Sequence, residues 1–184
     1  MKFIYATTND AKFKIAESVL LNTGVQVIQS GIDIPEIQST SVEEIASYSC
    51  KWAREQLQCS VAVTDVGFYI HALGGFPGPF VKYVNGWLSS EDIIRLLADK
   101  QDRTVEIREC LAFYRMDAEP MIFQSVLRGE IVYEAASHER SVMDRIVIPE
   151  GSMRTLAELK EEELISFWSK HSAFHLLKER LSQL

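Results

Sequence analysis

Residues 61–84 read VAVTDVGFYIHALGGFPGPFVKYV. The stretch opens on Val61, Ala62 and Val63, an apolar run of the composition found in buried strands, and meets its first ionisable side chain at Asp65. This predicts a strand over 60–64 with Asp65 where it ends. Beyond it Gly74, Gly75, Pro77, Gly78 and Pro79 exclude helix and predict a loop of fixed backbone shape. In α/β proteins ligands bind beyond the carboxyl ends of strands, so an ionised side chain there is a candidate for chemistry. A turn or helix N-cap aspartate is the alternative.

The surrounding chain sets the frame. At 184 residues and 47% hydrophobic content, the sequence predicts one domain, 1–184, with room for two lobes and a sizeable core. A formal net charge of −7 argues against nucleic acid and anionic membrane as partners, because both attract clustered Lys and Arg. An anionic small substrate then needs local lysines or a metal ion. Cys50, Cys59 and Cys110 are odd in number, widely spaced and without a CxxC, which indicates reduced thiols in a cytoplasmic protein. The apolar run after Lys2 is too short for a signal-peptide core, and no uninterrupted apolar run approaches the ~18 residues of a membrane span.

Upstream, Phe3–Tyr5 predict a strand, and the turn Thr7-Thr8-Asn9 leads into a helix with Phe13, Ala16, Val19 and Leu20 on one side, capped by Thr8 or Asn9. A helix start after a strand leaves backbone N–H groups pointing outward, a ready anion site, and Lys12 in the first turn suits a phosphate. A solvated lysine is the alternative. Val25–Ile28 predict a second strand, Ile34–Gln38 an extended segment holding Glu36 outside any helix, and Thr40 or Ser41 with Glu43 or Glu44 a capping box opening a helix to about Gln58.

Downstream, Ser89 or Ser90 caps a helix with Ile93, Ile94, Leu96 and Leu97 inward. Two strands, 104–114 and 121–133, flank the turn Met116-Asp117-Ala118-Glu119-Pro120, and 145–148 predict a further strand. After the acidic turn Glu161–Glu163, a final helix is predicted over 164–181. It would place His171 and His175 four apart on one face, a spacing that can hold a metal, although incidental histidines explain it as well without a third ligand.

Ala6-Thr7-Thr8-Asn9-Asp10-Ala11-Lys12 resembles the T-G-N-x-x-K phosphate turn of the inosine triphosphate pyrophosphatases, which hydrolyse non-canonical purine nucleoside triphosphates. Ile34–Gln38 resembles their metal-binding segment, and Thr64-Asp65 followed by Ala72–Lys82 resembles their acidic doublet and A-L-G-G-x-P-G-P-[YF]-[IV]-K loop. Pro149-x-Gly151 and Thr155-x-Ala157-Glu158-Leu159 continue the likeness in order, so it spans essentially the whole chain. The resemblance implies an α/β fold with an elongated mixed β-sheet, flanking helices and two lobes around a central nucleotide cleft. It also implies Mg²⁺ as cofactor, a homodimer, and cleavage to nucleoside monophosphate and pyrophosphate. Carried over by position, Thr7, Thr8, Asn9 and Lys12 would cradle phosphate, and Glu36 and Asp65 would serve the metal. Asp65 and Lys12 would be catalytic, with Asp65 helping to orient the attacking water.

The departures are specific. The acidic doublet is Thr64-Asp65, and the family's helix lysine falls on Ser49, with Lys51 about 200° round the helix. The F-G-[YW]-D-P segment is Ser141-Val142-Met143-Asp144-Arg145, which keeps only Asp144 for the base, with Met143 as a polarisable cover for the ring. The S-H-R segment falls on Trp168–Lys170 or Lys170–Ser172, leaving Lys170 and His171 as candidates near the base. Departures after residue 140 predict altered base specificity. Loss of the second acid and of the lysine supports a second reading, a nucleotide-binding scaffold of the same fold without turnover.

Overall fold

The computed structural model describes residues 1–116 and 118–183; Asp117 of the predicted turn lies outside the described residues. The chain folds as a mixed α/β structure in the order β1 (Lys2–Ala6), α1 (Asp10–Leu20), β2 (Gln26–Ser30), α2 (Val42–Leu57), β3 (Val61–Ile70), β4 (Pro77–Gly78), α3 (Val81–Trp87), α4 (Ser90–Leu96), β5 (Thr104–Tyr114), β6 (Met121–Ile131), β7 (Val147–Pro149), α5 (Glu161–His171) and α6 (Phe174–Leu181). The sheet runs β2-β1-β3-β5-β6-β7, with β4 on β3. The chain divides into two compact units, Met1–Asp65 with Glu109–Ser125 and Ile165–Leu184, and Val66–Arg108 with Val126–Leu164.

In the first unit β1 pairs in parallel with both β2 and β3. Phe3 and Tyr5 point to one side and are 1% exposed, where they meet Ala16, Val19 and Leu20 of α1 and Phe174 and Leu177 of α6. Aromatic edges interlock there, Phe3 against Phe113 at 5.0 Å and Tyr5 against Phe174 at 5.1 Å. Each such ring contributes about 2–3 kcal/mol of burial. Asn9 is the cap of α1, its side chain accepting from the Lys12 N–H. Ser41 caps α2 and accepts from Glu44 N–H, but the Glu44 carboxylate turns to the Ser39 hydroxyl at 2.6 Å, so the predicted box is not reciprocal. α2 faces the sheet with small residues, Ala46, Ser49, Cys50 and Ala53. That closeness lets the Cys50 thiol donate to the carbonyls of Val61 and Ala112, both at 3.2 Å. Burial pushes the thiol up to about 12, so it stays neutral.

In the second unit β3 continues through Gly67 and pairs with β4, Phe68 opposite Gly78 and Tyr69 opposite Pro77. A Cβ at Gly67 would stand 2.7 Å from the Tyr69 ring and 2.9 Å from the Gly78 backbone, while a Cβ at Gly75 or Gly78 would meet the same ring at 3.5 Å, an ordinary contact distance. Arg108 covers it, its guanidinium 4.3 Å from the ring centre. Between β4 and β3 the chain passes a left-handed Gly74 and a cis Phe76–Pro77 bond. The loop predicted by the glycines and prolines ends at Phe80, because Val81 and Lys82 already belong to α3. Ser89 and Asp92 form a reciprocal capping box on α4. Ile93 and Leu97 are fully buried, but Leu96, where the helix ends, is 48% exposed rather than inward.

Other boundaries move for local reasons. The predicted strand 145–148 becomes β7, Val147–Pro149, because Ile146 and Val147 N–H groups bond back to the Met143 carbonyl as a turn. The predicted acidic turn is the first turn of α5, where Glu161–Glu163 complement the helix N-terminus and Glu163 accepts from Lys160 N–H. The predicted single helix 164–181 is two helices. Ala173 gives its N–H to the Glu109 carboxylate at 2.6 Å, and the Ser172 hydroxyl accepts from Phe174 N–H, which breaks the chain between α5 and α6.

Candidate functional site

The carboxyl ends of β1 and β2 lie side by side in the first unit and reach the middle of β3, as parallel pairing requires: Ala6 is opposite Ser30, and Tyr5 is opposite Ala62. Three predicted parts of the site follow these paired stretches. Thr7, Thr8 and Asn9 follow β1, the Glu36 segment follows β2, and Asp65 lies three residues beyond Ala62 on β3.

The turn after β1 is built by its own side chains. Thr7 N–H donates to Ser30 O at 2.9 Å, the Thr7 hydroxyl accepts from Asn9 N–H at 3.1 Å, and Asn9 Oδ1 accepts from Lys12 N–H at 3.0 Å. Asn9 is thus occupied in capping, and what faces outward is the first turn of an eleven-residue helix. Gln29 Nε2 donates to Thr7 O and to the Asp10 carboxylate, tying the turn to β2. Thr8 is exposed and Lys12 half-buried. Glu36 is exposed, on a segment with neither helix nor strand.

Asp65 is not at a strand end. The strand predicted over 60–64 runs on as β3 to Ile70, and the missing side chain of Gly67 allows it to pass Tyr69 and Gly78. The turn and N-cap alternatives for Asp65 are therefore excluded, and its side chain is held by extended backbone on both sides. It is half-buried and engaged with its surroundings. Its charge, with those of Glu43 and Glu109, adds to burial in pushing the Cys110 thiol up to about 12. The preceding residue, Thr64, shares a 2.5 Å hydrogen bond with the Tyr5 hydroxyl. Tyr5 is fully buried, and desolvation, aided by the Glu109 charge, keeps its phenol neutral. Tyr5 and Glu109 were not found from sequence. Glu109 carried a usable signal, because it occupies the inward phase of Val105, Ile107, Leu111 and Phe113 on β5.

Ser49 is buried against the sheet and Lys51 is exposed on α2, as the 200° offset requires. Lys170 and His171 are exposed in the last turn of α5, with the His171 ring 4.7 Å from Phe167. Desolvation, then the neighbouring Lys170 and His175, hold the His171 imidazole below its ordinary value. His171 and His175 do not share a helix face. The break at Ser172–Ala173 separates them, and His175 Nε2–H donates to Ser169 O at 2.5 Å. No group of three or more His, Cys, Asp or Glu among the described residues could hold a metal ion by itself.

Asp144 belongs to the second unit, where its carbonyl accepts from Ala157 N–H and its N–H donates to Ser141. Met143 does not offer a surface to a base, since it is fully buried with Ile146 and Val147. Burial raises the Asp144 carboxyl above the usual range, against the opposing pull of Ser141 and Arg140. The folded chain therefore holds this proton more tightly than the unfolded chain, so the stability this group contributes is greatest in acid and falls as pH rises through the ordinary carboxylate value towards the folded one. Asp144→Asn is expected to raise the melting temperature by about 2–4 °C at pH 7 and to leave it nearly unchanged at about pH 3.5, measured by thermal unfolding at both.

Comparison with known proteins identifies the family and the fold. The Ham1 family model matches residues 3–180. A protein named dITP/XTP pyrophosphatase from Methanopyrus kandleri is 38% identical over 163 residues, 89% of this chain and 87% of its own. One of the same name from Thermococcus kodakarensis is 32% identical over 163 residues, 89% and 88% of the two chains. The solved structure of a HAM1 protein from Coxiella burnetii shares the fold, with a TM-score of 0.85, 24% identity and full coverage of both chains. The family expected from the phosphate turn and the glycine-proline loop is thus the one found, and this chain belongs to the Ham1 family.

Proposed function

We propose that this protein hydrolyses non-canonical purine nucleoside triphosphates of the dITP/XTP class to nucleoside monophosphate and pyrophosphate. The observation that supports this is the parallel register of β1 with β2 and β3, from which a phosphate-suited helix start and an acidic segment leave beside the part of β3 that carries Asp65. Names of relatives at 38% and 32% identity supply the substrate class. The outward N–H groups of the α1 first turn and Lys12 bind phosphate oxygens. Asp65 orients the attacking water and accepts its proton as the bond to the departing pyrophosphate breaks. Thr7 and Thr8 line the turn, Asn9 fixes it, and Lys170, His171 and Asp144 serve the base, whose selection is altered where the family's aromatic and S-H-R residues are missing.

The cofactor in this reading is Mg²⁺. Glu36 and Asp65 offer oxygen donors of the kind this ion takes, and one or two carboxylates suffice when substrate phosphates complete the shell. When bound, it would neutralise phosphate charge. The protein acts in the cytoplasm, supported by three free cysteines, and as a homodimer, supported by the exposed neighbouring rings of Tyr83 and Trp87 on α3. Among the described residues no helix is long and apolar enough to cross a membrane.

The test is pyrophosphate release from a panel of purine, deoxypurine and pyrimidine triphosphates, with Mg²⁺ and with chelator. Release from dITP or XTP that chelator abolishes is expected. Lys12→Ala is expected to raise KM about tenfold with a smaller change in kcat. No release from any member overturns the hydrolase, and metal-dependent binding without release would point to the scaffold instead.

A further inference from the structure

Tyr5 ends in a hydroxyl inside an otherwise apolar cluster of Phe3, Phe113, Phe174 and Leu177. A phenylalanine there would keep the ring contacts without burying a polar atom, so the hydroxyl costs stability unless it is paired. Its partner is Thr64 Oγ1 at 2.5 Å. The pairing follows from register: Tyr5 lies opposite Ala62, and Thr64 is two residues further along β3 on the same face. At this distance either hydroxyl can be the donor. The phenol is the stronger acid of the two and lies fully buried against Thr64, which is only half-buried, so we assign Tyr5 O–H as the donor, which leaves the Thr64 proton to be donated elsewhere. Thr64 is half-buried, immediately before Asp65 and at the edge where the Thr7–Asn9 turn leaves β1.

Resting on the proposed hydrolase activity, we propose that Tyr5 is a positioning residue that fixes the Thr64 hydroxyl as a hydrogen-bond donor to a phosphate oxygen of the nucleotide, on the face of β3 opposite to that of Asp65. The pair gives the site a donor without adding a further negative charge beside a triphosphate, and Glu109 already supplies one carboxylate near Tyr5. A hydrogen bond that donates to charge developing on a phosphate oxygen acts on kcat more than on KM. Through the Ala173 N–H, Glu109 also fastens the start of α6, whose Phe174 packs edge-on against the Tyr5 ring, so the ring cannot swing away from Thr64 without losing that contact.

The experiment compares wild type, Tyr5→Phe, Thr64→Val, Thr64→Ser and the Tyr5→Phe/Thr64→Val double variant for pyrophosphate release and thermal unfolding. Tyr5→Phe and Thr64→Val are each expected to lower kcat about tenfold with KM within about twofold, because each removes one link of the same hydrogen-bonded pair. Thr64→Ser keeps the hydroxyl and is expected to retain kcat within about twofold, while the double variant falls no further than Thr64→Val alone. Unchanged kcat in folded Tyr5→Phe, with or without a lower melting temperature, overturns the inference and leaves the hydrolase standing. If Thr64→Val does not fold, Tyr5→Phe and Thr64→Ser decide it. Absence of release from wild type removes the hydrolase reading and this inference with it.

Discussion

Asp65→Asn is expected to lower pyrophosphate release by about three orders of magnitude while nucleotide binding persists. The substitution keeps shape and hydrogen-bonding capacity and removes only the charge and the ability to take a proton from water. The backbone on both sides is extended strand, so the asparagine stays where the aspartate stood. Because Thr64 occupies the place of a second acid, no adjacent carboxylate can take over, and raising Mg²⁺ should not restore the rate. Steady-state pyrophosphate release and nucleotide titration on the same preparation check this. Full activity in the variant would move the chemistry away from β3 altogether. The contrast with Lys12→Ala, whose effect is chiefly on KM, separates the residue that handles the proton from the one that holds the anion.

Arg103→Met is expected to destabilise the protein by about 3 kcal/mol, the largest loss of stability foreseen for a single side chain outside the site. Arg103 is only 7% exposed, and its guanidinium donates to the carbonyls of Ile131 and Val132 at 2.6 Å each and to Leu97 at 3.4 Å. It also lies over the Tyr133 ring at 4.2 Å. Methionine fills comparable volume but offers no donor, so carbonyls at the end of β6 lose their partners in a place water reaches poorly. Lysine has three donors on one point and cannot reproduce the fork, so Arg103→Lys should recover only part of the loss. Urea unfolding measures both. A loss below about 1 kcal/mol for the methionine variant would show that those carbonyls find other donors.

The strands and caps were legible because their signals are local. Asn9, Ser41 and Ser89 each cap the helix predicted to follow, and β5 runs over the predicted 104–114. What sequence misjudged depends on distant contacts. The strand predicted to end at Asp65 continues to Ile70, and the room that the Tyr69 ring and the Gly78 backbone need beside Gly67 shows only in the fold. The Ser172–Ala173 break contains neither glycine nor proline; it is made by Glu109, more than sixty residues earlier in the chain. Within the candidate site, the turn after β1 and its cap Asn9 were legible from residue type and spacing, whereas Asp65 lies within β3 and not at its end as predicted. Tyr5 was hidden because an aromatic in a first strand reads as ordinary core, and only the position of its hydroxyl against Thr64 distinguishes it.

The glycines around Tyr69 carry a consequence for how this chain can change over generations. Gly67, Gly75 and Gly78 each stand against one ring, on two strands and the turn between them, with Arg108 on it as well. A side chain added at Gly67 is tolerated only if the ring at 69 and the backbone at 78 both move, and a smaller residue at 69 leaves a void that no single replacement fills. Such positions are epistatic: the fitness of each allele depends on the other three, and single steps lead through poorly packed intermediates. A stretch locked in this way changes only when several of its positions change together, although none of them touches a substrate.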